Sequence, residues 1–241
     1  MLERSTLPAI ALAALAALSA LTALTGCGAD APAAADSAPT TTPSARTGAV
    51  LLTDDDTVHS DGADWFRTAS GDEDLDGNGD LAHPCLPDGL TGTGATSVVR
   101  ADFELRNTSD PSVEVTGDLM VQLVGEYADE AAAEAAWSSV NGLLEECRDR
   151  PKAITRYRAL QTRKVAVPGS DAVVTDAHLG PVPPEVDPTG DAAYIMETGV
   201  LRDGDRLVVL TSVVIGQDYD FVDGTPVERM LPKAAAALAT A

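Results

Sequence analysis

The chain predicts an α+β domain with a mostly antiparallel sheet and helices packed against it. Three observations carry that expectation. Residues 99–106 alternate apolar and polar with period two, and residues 129–150 switch to helical period. Arg202-Asp203-Gly204-Asp205-Arg206 joins two apolar stretches through an Asp-Gly turn, a strong hairpin signal. Strands that follow one another directly, rather than alternating with helices, fit this class.

Ahead of the domain, an apolar run from Leu7 to Leu24 leads into Leu24-Thr25-Gly26-Cys27. Small residue, Gly and Cys directly after a hydrophobic segment resemble the end of a bacterial lipoprotein signal. The resemblance implies that residues 1–26 are a signal peptide, that Cys27 carries diacylglycerol and palmitate, and that the protein is anchored at the extracytoplasmic face of the cell membrane. An uncleaved transmembrane anchor is the alternative, since ~18 apolar residues is the lower limit for spanning. The Ala-rich composition and the placed Cys favour lipidation. Residues 27–48 are rich in Pro, Ala and Thr. From Gly28 to Thr47 they hold no Leu, Ile, Val or aromatic residue, so they read as a disordered tether.

The remaining ~190 residues, 49–241, suit one domain with its own core. The net charge of −22 repels nucleic acid and anionic headgroups, and excludes both as partners. Attachment must then come from lipid. With Cys27 lipidated, Cys85 and Cys147 remain, an even pair in an oxidising compartment. A disulfide is the economical reading; a metal pair and a catalytic thiol are the alternatives. His59, His83 and His178 fall into no ligand spacing.

Within the domain, Thr53 before Asp54-Asp55-Asp56 reads as a helix start. Asp72 to Asp80 is an acidic surface loop. Val99, Ala101, Phe103 and Leu105 form one face of a strand, and Asn107 to Pro111 reverses the chain. Val113 to Leu123 is the expected return strand, with one face solvated. Asp129 to Arg150 places Ala133, Ala136, Trp137, Val140, Leu144 and Cys147 on one stripe, and Pro151 ends it. Strands are expected at Arg163–Val167, Ala172–Leu179, Asp191–Leu201 and Leu207–Ile215, the last central because Leu207-Val208-Val209-Leu210 is apolar on both faces. Thr225-Pro226-Val227-Glu228 is a capping box opening a final helix that Pro232 should kink or restart.

The order of motifs resembles the extracellular sensor domain of the mycobacterial receptor kinase PknH and the actinobacterial lipoproteins that share it. The matching stretches are Leu51-Leu52-Thr53, Trp65, Cys85-Leu86, the strand with Arg100 and Phe103, Glu126-Tyr127-Ala128-Asp129 with its Ala-rich helix to Cys147, and Val165-Ala166-Val167-Pro168-Gly169. The resemblance implies a curved sheet bearing a cleft for an unidentified ligand, without enzymatic chemistry. That kinase sensor has two disulfides, whereas this domain has cysteines for one. No kinase domain accompanies it here.

Two clusters offer chemistry. Asp74, Asp76, Asn78 and Asp80 fit the early positions of an EF-hand-type calcium loop, but Cys85 stands where the bidentate Glu belongs. A solvated acidic loop is the competing reading, and calcium is the one cofactor considered. Seven of the sixteen Lys and Arg fall between Arg148 and Lys164. Arg156, Arg158, Arg163 and Lys164 are therefore candidates for an anionic ligand, with pairing to the protein's own acidic surface as the alternative. No G-x-S-x-G, zinc or Walker motif is present. The expected function is a monomeric, non-enzymatic surface lipoprotein binding a small-molecule or envelope ligand. A calcium-binding interaction protein is second and a cell-envelope hydrolase third.

Overall fold

The structure, a computed structural model, describes residues 50–60, 62–72, 85–86, 89–90, 92–110, 112, 118–149, 157–179, 182–216 and 223–241. These form seven strands and two helices: β1 (Ala63–Asp72), β2 (Ser97–Asn107), β3 (Leu119–Glu126), α1 (Glu130–Asp149), β4 (Tyr157–Lys164), β5 (Asp171–Leu179), β6 (Ala193–Asp203), β7 (Arg206–Gly216) and α2 (Pro226–Thr240). The strands make one sheet in the order β1-β2-β3-β7-β6-β5-β4. Every neighbouring pair is antiparallel, so the α+β expectation holds.

Alternation along the strands divides the core in two. Val208, Leu210 and Val214 of β7 share one cluster with Trp65, Phe103 and the α2 residues Val227, Met230 and Leu231. Leu207 and Val209 share the other with Leu123, Val200 and the α1 residues Ala133, Val140 and Leu144. The helices therefore cover opposite faces. β7 is the middle strand, and Leu207, Val208, Val209 and Leu210 are fully buried, as their two-sided apolarity requires.

β2 keeps its alternation, with Ala101, Phe103 and Leu105 buried and Glu104 and Arg106 exposed. The turn after it is held by Asn107, whose Oδ1 accepts from the Ser109 and Asp110 N–H groups at 3.0 and 2.8 Å. β3 differs from expectation. Residues 113–117 of the expected strand lie outside the described residues, and Met120 to Val124 are buried on both faces. An inner strand between β2 and β7 has no wet side, so polar Gln122 must find a partner inside. It accepts the Leu52 N–H at 2.8 Å, which pins the buried stretch Val50–Leu52 to the sheet.

The helix expected from Thr53 is a three-residue 3-10 turn, Asp54–Asp56. Thr57 Oγ1 closes it, 2.8 Å from Asp54 O and 2.7 Å from Trp65 O, and the chain then enters β1. Trp65 is fully buried there, while Arg106 lies over Phe66 at 4.8 Å on the exposed side.

α1 starts where its signals place it. Asp129 Oδ1 accepts the Ala132 N–H at 2.8 Å, and Ala133, Ala136, Val140, Leu144 and Cys147 are buried. Cys147 is bonded to Cys85 across a Cα–Cα distance of 5.7 Å. That removes the metal-pair and catalytic-thiol readings and fastens the end of α1 to the segment ahead of β2. α2 opens with the Thr225 N–H donating to Glu228 Oε2 at 2.8 Å. The helix does not restart at Pro232; it continues to Thr240, because Pro232 faces solvent and forfeits only one backbone bond. No helix among the described residues is long and apolar enough to cross a membrane.

Candidate functional site

A cavity of about 480 Å³ opens between the outer flank of α1, the edge strand β4 and its neighbour β5. Helical geometry builds one wall. Trp137, Asn141 and Glu145 recur every four residues, so they stand in a row beside the buried stripe. Trp137 is half-buried, with Leu144 as the apolar floor. Strand geometry builds the other wall, where Thr162 and Lys164 alternate with Arg163 and therefore share the α1 face.

The polar groups of this cavity divide into engaged and open ones. Asn141 Nδ2 donates to the Trp137 carbonyl at 2.8 Å, leaving the amide oxygen to accept. Thr162 Oγ1 is 3.0 Å from Thr175 Oγ1. Asp171 is ion-paired with Arg202, whose Nε lies 2.9 Å from Glu134 of α1. By contrast, no hydrogen bond or ion pair engages the Glu145 carboxylate or the Lys164 ammonium among the described residues.

On the other face, Arg163 meets three carboxylates: Asp176, Glu228 and, at 3.2 Å, Glu197. Glu197 is completely buried and also accepts the Val227 N–H at 3.0 Å, at the start of α2. Register explains the meeting, because Asp176 and Glu197 are directly paired across β5 and β6. Burial pushes the Glu197 carboxyl up to about 7, against the bonds from Thr225 and Val227 and the charge of Arg163. Burial also raises Glu228, but the hydrogen bonds from Arg163 and from Thr225 outweigh it and hold that carboxyl below its ordinary value. This constellation fastens helix to sheet.

The basic candidates thus separate. Arg163 and Lys164 are neighbours on a strand and face opposite sides; Arg163 is held by its own chain's carboxylates, and Lys164 faces the cavity. Arg158 falls where the β4–β5 register shifts between Tyr157 and Ala159, and its side chain lies outside the described residues. Arg156 lies outside them too, as do Cys27 and the acidic set Asp74, Asp76, Asn78 and Asp80. Among the described residues, no group of three or more His, Cys, Asp or Glu is placed to hold a metal.

Sequence reasoning assigns Trp137 to the core and passes over Asn141 and Glu145. Their four-residue spacing next to the apolar stripe is the available signal. A lone Glu in the apolar run Ile195-Met196-Glu197-Thr198-Gly199-Val200 is likewise the signal for a buried carboxylate.

No protein-family model matches the chain, and no curated protein matches it significantly. Among solved structures, the X-ray structure of an uncharacterized Mycobacterium smegmatis protein, the Rv0999 ortholog, is similar at 14% identity and a TM-score of 0.34. The match covers 74% of this chain and 90% of that one.

Proposed function

We propose that this protein is a lipid-anchored envelope lipoprotein whose domain binds a ligand in the cavity between α1 and β4–β5, without chemistry on it. The cavity itself carries the reading: it is concave, of small-molecule size, floored by apolar side chains and edged by a few open polar groups. The lipobox ending at Cys27, the tether after it and the resemblance to the PknH sensor domain support the placement at the cell surface. Binding is favoured over catalysis because Glu145 and Lys164 are not joined, among the described residues, to a partner as a base and its orienting group would be.

Two measurements test this. Cys27→Ser should move the protein from the membrane fraction to the soluble one; an unmodified, uncleaved N-terminus in the wild type removes the anchor. Native mass spectrometry of the protein extracted from its own envelope should show a bound small molecule, lost in Asn141→Trp, which fills the cavity. No added mass on the wild type, or the same added mass on both proteins, removes the binding role.

A further inference from the structure

We infer that the cavity between α1 and β4–β5 takes a neutral, hydroxyl-rich saccharide stacked on Trp137. This rests on the proposal that the cavity is the binding site.

Charges that face one another across the cavity narrow the class of ligand. Among the described residues, Glu145 on α1 is an acceptor without a partner, and Lys164 on β4 is a donor without one. An anionic ligand meets Glu145 and Asp171 at the cavity and a net charge of −22 around it. A cationic ligand meets Lys164. A purely apolar ligand covers Trp137 but strips water from the Glu145 carboxylate, the Lys164 ammonium and the Asn141 amide oxygen, at a cost no contact returns. Hydroxyl groups donate and accept alike, so one neutral molecule can satisfy all three at once.

Trp137 then decides the shape. It is half-buried on the cavity wall, one turn from Asn141, and offers a flat apolar surface beside hydrogen-bonding groups. A pyranose has the matching form, an apolar C–H face and a rim of hydroxyls. Arg163, the other cation among the described lining residues, is held on the opposite face by Asp176, Glu197 and Glu228. Among the described lining residues, no guanidinium is thereby left open to an anion.

The test uses tryptophan fluorescence of the full chain in mild detergent. Trp65 is fully buried in the cluster on the other face, so a ligand-dependent change reports Trp137. Neutral di- and trisaccharides of glucose, mannose, galactose, arabinose and N-acetylglucosamine are the probes, with the zwitterion D-alanyl-D-alanine as the contrasting ligand. The expected result is saturable binding of at least one sugar, insensitive to salt between about 50 and 500 mM NaCl because the ligand carries no charge to screen. Asn141→Ala should weaken it tenfold or more with an unchanged melting temperature. Trp137→Phe, read by calorimetry, should weaken it as well, and it keeps an aromatic ring should Trp137→Ala fail to fold. Saturation by the dipeptide and by no sugar overturns the saccharide assignment and leaves the binding site standing. Binding of no probe, with a co-purified molecule still displaced by Asn141→Trp, does the same. Sugar binding that survives both Asn141→Ala and Trp137→Phe unchanged overturns the inference by placing the sugar elsewhere.

Discussion

Glu197 stands at 0% exposure with one shared cation for company, because Arg163 divides its guanidinium among three carboxylates. Desolvation therefore wins, and the native state holds the Glu197 proton up to about pH 7. A carboxyl raised on folding contributes stability that is full below its unfolded pKa and lost as pH climbs through the folded one. The domain should thus weaken between about pH 5 and pH 8, by an amount on the order of 3 kcal/mol at most from this group. Glu197→Gln keeps an acceptor for the Val227 N–H and removes the titration. Urea unfolding at about pH 5.5 and pH 8.5 should show the variant equal to or more stable than wild type at the higher pH, with a flatter profile. A wild type as stable at the higher pH as at the lower contradicts this account of Glu197.

At the scale of elements, α2 is seated on β6 through a missing side chain. A Cβ built on Gly199 would stand 2.6 Å from Val227 Cγ1 and 2.9 Å from Leu231 Cδ2, closer than side chains pack. Both are fully buried, and the Glu197–Val227 bond two residues away prevents the helix from rising to make room. Gly199→Ala should therefore destabilise by about 1–3 kcal/mol, the range for overpacking a filled core. Thermal unfolding measures it, and a neutral result means that α2 is not held at this distance. Gly142 on α1 has open space around its Cβ position and serves as the control, since Gly142→Ala should be neutral or stabilising through helix propensity.

For the molecule as a whole, 38 acidic residues against 16 Lys and Arg create self-repulsion that folding must overcome. Several cations are paired with the chain's own carboxylates: Arg163 with three of them, Arg202 between Glu134 and Asp171, and Arg100 beside Asp102 at 2.8 Å. Exposed carboxylates such as Asp55, Glu130 and Glu185 are left to repel across the surface. Moving from about 10 mM to 500 mM NaCl shortens the screening length from about 30 Å to a few Å. The melting temperature should rise over that range, the reverse of a protein held mainly by surface ion pairs. A fall in melting temperature with salt means that these ion pairs outweigh the repulsion.

The sequence by itself determined whatever depends on near neighbours along the chain. α1 has its Asp129 cap and its stripe, α2 has its Thr225–Glu228 cap, and β6–β7 turn at Gly204 with the positive φ of 58° that glycine permits. The central place of β7 was also legible, because a strand that is apolar on both sides must be covered on both sides. Cysteine parity suggested the Cys85–Cys147 bond, but it left a metal pair and a free thiol open until the Cα atoms were seen 5.7 Å apart. Only the tertiary structure decided the rest. A Thr and three Asp begin a helix or a 3-10 turn equally well, and Thr57 with the Trp65 carbonyl chose the turn. Period two in β4 could not say which side held carboxylates, so Arg163 and Lys164 looked like one basic patch. Asp176, Glu197 and Glu228 come from three different elements, and their convergence on Arg163 exists only once β4 pairs with β5 and α2 lies down on the sheet. Coulombic pairing over such sequence separations is a property of the fold, whereas caps and periodicity are properties of the chain.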